Sequence, residues 1–243
     1  MTWVKVHDVE LEVAHLKPQS AVQPALAHSP TLVFLHEGLG SVALWHQRQP
    51  WWTQQLCDRL GLPGLVYSRA GYGESTPIPD VRGVNRHGPD YMHRHAWASL
   101  PDLLKQLGIN QPILVGHSDG GTIALLHAAR HEVSACVVMA PHVMVEPICV
   151  ESIQQAKRAF EQGDLRQKLA RFHNDVDSAF WQWCDVWLSE PFSKMDIRAE
   201  CRSIQAPVLA IQGRQDAYGT LAQIEEIQPL GAIKRVVIES CGH

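Results

Sequence analysis

Residues 116–121 read Gly-His-Ser-Asp-Gly-Gly and set two possible nucleophiles side by side. A serine there would attack esters, thioesters or activated C–C bonds, and an aspartate would attack halides or epoxides. A nucleophile carried on a tight strand-to-helix turn needs small residues two places before and two places after it, or their side chains collide with the strand and the helix. With Ser118 as nucleophile those places hold Gly116 and Gly120. With Asp119 they hold His117 and Gly121, and His117 is not small. The spacing selects Ser118. Pro-Ile-Leu-Val in front reads as a strand and Thr-Ile-Ala-Leu-Leu-His-Ala-Ala behind as a helix, whose N-terminus aims backbone N–H groups at developing negative charge.

A serine hydroxyl is a weak nucleophile until a base takes its proton, and the base needs a carboxylate to hold its tautomer. With such a turn the chain order is serine, acid, histidine. APVLAIQGRQD ends in Asp216 and IKRVVIESCGH ends in His243, so all three fall at strand ends in that order. The competing uses are a helix cap for Asp216 and a plain terminal position for His243.

The elements that must position these residues are legible as hydrophobic runs. WVKVHDVELEVAHL alternates like two opening strands. Apolar runs ending in small or polar residues follow at 31–40, 64–73, 112–121, 134–142, 206–216 and 233–243, as expected of strands covered on both faces. Helical patterns at 51–61, 96–108, 121–131 and 220–231 lie between them. Strands alternating with helices predict an α/β fold with a mostly parallel sheet, its chemistry at the carboxyl ends of the strands. Two stretches break the alternation: a Pro/Gly-rich loop at 76–90, and a long helical stretch at 147–205 that replaces a short connection. The expected division is a core of 1–146 and 206–243 with a helical cap of 147–205.

From HEGLG through GHSDGG and GRQD to SCGH, the chain resembles the α/β-hydrolase superfamily over its whole length, and most of all its capped bacterial esterases, haloperoxidases and meta-cleavage-product hydrolases. The resemblance implies a Ser118–His243–Asp216 triad. It also implies an oxyanion hole from the N–H of Asp119 and a second donor in HEGLG, at Gly38. Glu37 departs from the family's His-Gly pair; a carboxylate would oppose an oxyanion, so its side chain is expected to turn away toward Arg69. Members of the family continue past the histidine into a helix packed on the sheet, which leads one to expect that such a helix is missing after His243. The function implied is acyl-enzyme hydrolysis of a small carboxylic ester, with C–C bond hydrolysis or ligand reception on the same scaffold as alternatives. Glu37, His142 and Trp181 are candidate substrate contacts, the last chosen among Trp181, Trp183 and Trp187.

Other chemistries find little support. HEGLG lacks the second histidine of a zinc helix, and the histidines of His93-Arg94-His95 would point to different sides of a helix. The glycines of RAGYG do not match dinucleotide spacing, so no cofactor and no metal is expected. The 243 residues carry a net charge of −4 without a basic cluster, which argues against nucleic-acid and membrane partners. Cys57, Cys136, Cys149, Cys184, Cys201 and Cys241 form no CxxC pair and read as buried reduced thiols. No apolar run approaches membrane-spanning length, so a cytoplasmic protein acting on a small molecule is expected; oligomeric state is not encoded legibly.

Overall fold

In the computed structural model, which describes residues 1–19 and 29–243, the predicted runs become one eight-stranded sheet. The strands are β1 (Thr2–Val6), β2 (Val9–Leu16), β3 (Thr31–Leu35), β4 (Gly64–Tyr67), β5 (Pro112–His117), β6 (Ala135–Met139), β7 (Val208–Gly213) and β8 (Ile233–Ile238). Their spatial order is β1-β2-β4-β3-β5-β6-β7-β8. β2 runs antiparallel to both neighbours, and every pair from β4 to β8 is parallel. The carboxyl ends of six strands therefore gather on one edge. β5 lies in the middle with β3 and β6 beside it, and its residues Leu114 and Val115 are buried on opposite faces.

Helices α1 (Trp52–Leu60), α2 (Leu100–Gln106) and α3 (Asp119–Ala128) flank the sheet. Every residue of α3 is buried, because it packs between the sheet and the helix that leads into α2. That leading helix begins at Tyr91 and passes through a π-helical segment, His95–Ser99. His93 faces Glu200 and Trp97, whereas His95 lies against His87 and Tyr91, so the two rings do point apart. The larger apolar core, with Val33, Leu65, Leu114, Ile123 and Val138, lies on the α3 side. A smaller one, with Leu32, Phe34, Val66, Val115 and Trp45, lies under α1.

Between β6 and β7 the chain forms α4 (Pro147–Gln162), α5 (Leu165–Leu169) and α6 (Val176–Trp187) before returning through short turns. The Asp175 carboxylate caps α6 by accepting the Ser178 N–H at 2.9 Å. The 76–90 loop folds against α6. The Ile78 N–H donates to Ser178 Oγ at 2.9 Å, and Arg82 pairs with Asp185 at 2.8 Å. His173, between α5 and α6, accepts the Gly73 N–H at Nδ1 and donates from Nε2 to the Leu39 carbonyl.

One predicted helix is much shorter than its pattern. The 220–231 segment is helical only over Ala222–Glu225, named α7. Pro229 has no N–H to continue the ladder and turns the residue before it away from helical geometry. The Arg235 guanidinium then takes the carbonyls of Ile224 and Ile227 that the short helix leaves free. All six cysteines are free thiols, five of them buried. Among the described residues no helix is long and apolar enough to cross a membrane, and no three metal-ligating side chains converge.

Candidate active site

The turn between β5 and α3 is as tight as its sequence requires. Ser118 has φ 51° and ψ −119°, a left-handed conformation that a non-glycine residue adopts only when its surroundings enforce it. Hydrogen bonds on both sides do so: the Ser118 N–H donates to the Met139 carbonyl at 2.9 Å, and the Thr122 N–H donates to the Ser118 carbonyl at 3.0 Å. The flanking glycines have no room for a side chain. A Cβ on Gly116 would lie 2.3 Å from the Gly120 carbonyl oxygen, and one on Gly120 would lie 2.1 Å from that of Leu35.

Asp216 follows β7 and His243 follows β8. The His243 Nδ1–H donates to the Asp216 carboxylate, 2.8 and 2.9 Å from its two oxygens. That carboxylate also accepts the Gln212 amide and the Tyr218 N–H, each at 2.7 Å. Burial pushes the Asp216 carboxyl up, but the His243 ring and the Tyr218 N–H outweigh it, and the group is held below the usual carboxylate range. The last residues of the chain are tied to the β7 loop, where the Gln215 N–H donates to the Cys241 carbonyl at 2.8 Å.

Ser118, Asp119, Gly38 and His243 line one cavity of about 140 Å³. Its other walls come from Glu37, Leu39 and His142 on the core, from Cys149 and Ile153 of α4, from Trp183 and Trp187 of α6, and from Tyr218. A larger groove of about 700 Å³ shares Glu37 and His243 with this cavity and is bordered by His117 as well.

Two expectations about substrate contacts need correction. The Glu37 carboxylate does not reach Arg69; it accepts the Trp45 indole N–H at 2.6 Å and lies 3.5 Å from His117 Nδ1. Burial opposes its charge, but His117 and Trp45 outweigh it and hold the carboxyl below the glutamate range. Arg69 instead donates to the backbone carbonyls of His36 and Glu37. The His36 ring completes this clamp, donating from Nδ1 to the Glu37 carbonyl and accepting the Arg69 N–H at Nε2. Both ring nitrogens are thus satisfied in the neutral form, in keeping with a pKa that burial drives well down.

Trp181 is the second correction, for it is absent from the cavity wall. It packs against Phe160 and Phe180, with the Arg82 guanidinium 3.7 Å above its ring. Trp183 and Trp187 hold the wall instead. They stand four residues apart on one helix face, a spacing that separates them from Trp181 in the sequence alone. Trp183 lies so close over Gly38 that a Cβ there would fall 2.2 Å from its indole nitrogen.

His142 does border the cavity, its ring 5.9 Å from that of His243. Burial takes its pKa down to about 3, and its Nδ1 has no partner among the described residues. Asp119 is fully buried and accepts the Tyr91 hydroxyl at 2.6 Å. Burial raises its pKa, while Arg69, Tyr91 and Trp187 work the other way. Tyr218 and His117, which sequence reasoning did not single out, both have rings within 5 Å of His243, at 4.8 and 4.9 Å.

Known proteins agree with this architecture. N-formylmaleamate deformylase of Pseudomonas putida is 25% identical over 205 residues, which is 74% of this chain and 76% of that protein. A probable carboxylesterase of Phoma sp. is 26% identical over 52% of this chain, and the chain spans only 41% of that protein. The crystal structure of the enol-lactonase from Burkholderia xenovorans superposes with a TM-score of 0.70 at 17% identity, covering 98% of this chain and 91% of the lactonase. The model of the alpha/beta hydrolase family matches residues 32–243. The chain belongs to the alpha/beta hydrolase family.

Proposed function

We propose that the protein is a serine hydrolase acting on a small carboxylic ester through an acyl-enzyme. The observation that carries this reading is the combination at one cavity of a turn-borne Ser118 with a His243 whose Nδ1 is held by Asp216. His243 Nε2 takes the Ser118 proton as Oγ attacks the acyl carbon. The carbonyl oxygen becomes an oxyanion held by the Asp119 N–H and by an N–H of the 38–39 loop. His243, now protonated, gives its proton to the leaving alcohol; water, deprotonated in turn by His243, releases the acid and restores Ser118. Asp216 stays ionised and fixes the ring's tautomer. The insertion of 147–205 serves as the cap, since α4 and α6 supply four of the cavity's walls. An ester is favoured because the carboxylesterase and the lactonase among the relatives are named for cleaving C–O bonds.

The test is labelling by a fluorophosphonate together with turnover of p-nitrophenyl butyrate. Both are expected of the native chain, and Ser118→Ala should lose both, the rate falling by about 10⁴–10⁶. Turnover within tenfold of the native chain in Ser118→Ala sinks the assignment. A folded native chain that neither labels nor turns over any ester is a ligand receptor instead.

A further inference from the structure

The cavity beside Ser118 carries information about the acyl group, given the hydrolase reading above. Its volume is about 140 Å³, and a dry apolar cavity of roughly 150 Å³ holds one benzene ring. Leu39, Ile153, Trp183, Trp187 and Tyr218 give it apolar and aromatic walls. Two features fix its size. Trp183 sits directly on Gly38, and Trp187 is wedged between His142 and Phe192, with ring centroids 4.9 and 4.7 Å away.

The charge balance of the cavity is one-sided. Glu37 and Asp119 line it, and Asp216 stands behind His243. Glu37 and Asp216 are both held in the ionised form. No lysine or arginine is among the described residues that line it. Arg69, the nearest buried cation to the HEGLG loop, commits its guanidinium to two backbone carbonyls. His142, which also lines the cavity, is neutral. An acyl group bearing a carboxylate would lose its hydration there and meet the ionised Glu37 with no lysine or arginine to offset it.

We infer that the cavity selects a compact, uncharged acyl group of about benzene size and rejects acyl groups that carry a carboxylate. The larger groove, which shares Glu37 and His243 with the cavity, leaves room for the alcohol.

The experiment follows acid release from methyl esters in a pH-stat, with fluorophosphonate labelling of Ser118 run in parallel. Methyl 4-methylpentanoate and methyl hydrogen succinate have acyl groups of nearly equal shape and differ in charge. The neutral ester should be favoured in kcat/KM on the order of a hundredfold. Methyl benzoate should be accepted and methyl decanoate should not. Trp183→Ala, checked for folding by circular dichroism, should raise kcat/KM for the decanoate relative to the acetate by about tenfold or more. A succinate monoester turned over within threefold of its neutral twin overturns the charge argument. Equal use of benzoate and decanoate by the native chain, or an unchanged length profile in folded Trp183→Ala, overturns the size argument. Either result with Ser118 still labelled leaves the hydrolase reading standing; loss of labelling in the native chain sinks both.

Discussion

Gly120→Ala puts the geometry of the nucleophile turn to a quantitative test. An alanine Cβ would stand 2.1 Å from the Leu35 carbonyl oxygen and 2.6 Å from that of His36. Both are backbone atoms of the strand end that leads into the HEGLG loop. They must retreat by about 1.3 and about 0.8 Å respectively to reach ordinary contact, and β3 cannot swing aside because β4 and β5 pair with it on both edges. Overpacking of this kind costs about 1–3 kcal/mol, which in a chain of this size lowers Tm by about 2–12 °C. Misplacing a catalytic group by about 1 Å costs on the order of 10²-fold in rate, so kcat/KM for p-nitrophenyl butyrate should fall by that factor. Gly61→Ala is the control. Gly61 has φ 65°, and a methyl group added there would meet nothing within 4 Å, so alanine incurs only the strain of the left-handed conformation, about 1–2 kcal/mol. It sits at the end of α1, away from the cavity. The two variants should melt at comparable temperatures and differ about a hundredfold in rate. A Gly120→Ala enzyme with native kcat/KM, or with native Tm, would refute the close approach on which the reasoning rests.

Asp216→Asn should keep the fold and lower kcat by about 10⁴, because an amide in place of the carboxylate no longer selects the His243 tautomer with Nδ1 protonated; a loss below tenfold contradicts Asp216 as the orienting group. Acid should weaken the fold through its buried histidines. His127 and His142 are buried neutral, with pKa values lowered to about 4 and about 3, so below pH about 6.5 the unfolded chain binds protons that the folded one refuses. Stability complete above pH about 6.5 is then lost as pH falls toward about 4, and melting curves should show a level Tm from pH about 8 to about 6.5 and a decline by pH about 5. A Tm that stays level across that whole range contradicts this.

How far the sequence can be read depends on whether a feature is local. The strands from β3 to β7 announce themselves as apolar runs because burial on both faces leaves little room for polar residues. The frame at 116–121 can be chosen because the steric rule involves only residues two places away. Asp216 and His243 can be nominated since each ends such a run. What lies beyond reach is set by contacts between distant segments. The partner of Glu37 is Trp45 on one side and His117 on the other, and nothing in the local sequence ranks these above Arg69. The 220–231 pattern is helical in its apolar spacing, yet Pro229 and the Arg235 side chain end the helix early. Trp181 is the wrong tryptophan for a different reason: the i, i+4 relation that sets Trp183 and Trp187 on one face is a local signal, and it favours them over Trp181 without any tertiary contact. Cavity volume depends on how α4 and α6 lie over the sheet, which no single segment specifies.

The grip of Arg69 on the HEGLG loop bears on how this protein can evolve. Arg69 and His36 hold residues 36 and 37 through main-chain carbonyls, groups that every amino acid supplies. The shape of the loop is therefore largely indifferent to the side chain at position 37, and a replacement there forfeits little beyond the contacts with Trp45 and His117. Yet that side chain borders both the small cavity and the larger groove. A single codon change at position 37 can thus retune the charge of both openings while leaving the turn and the sheet beneath them as they are.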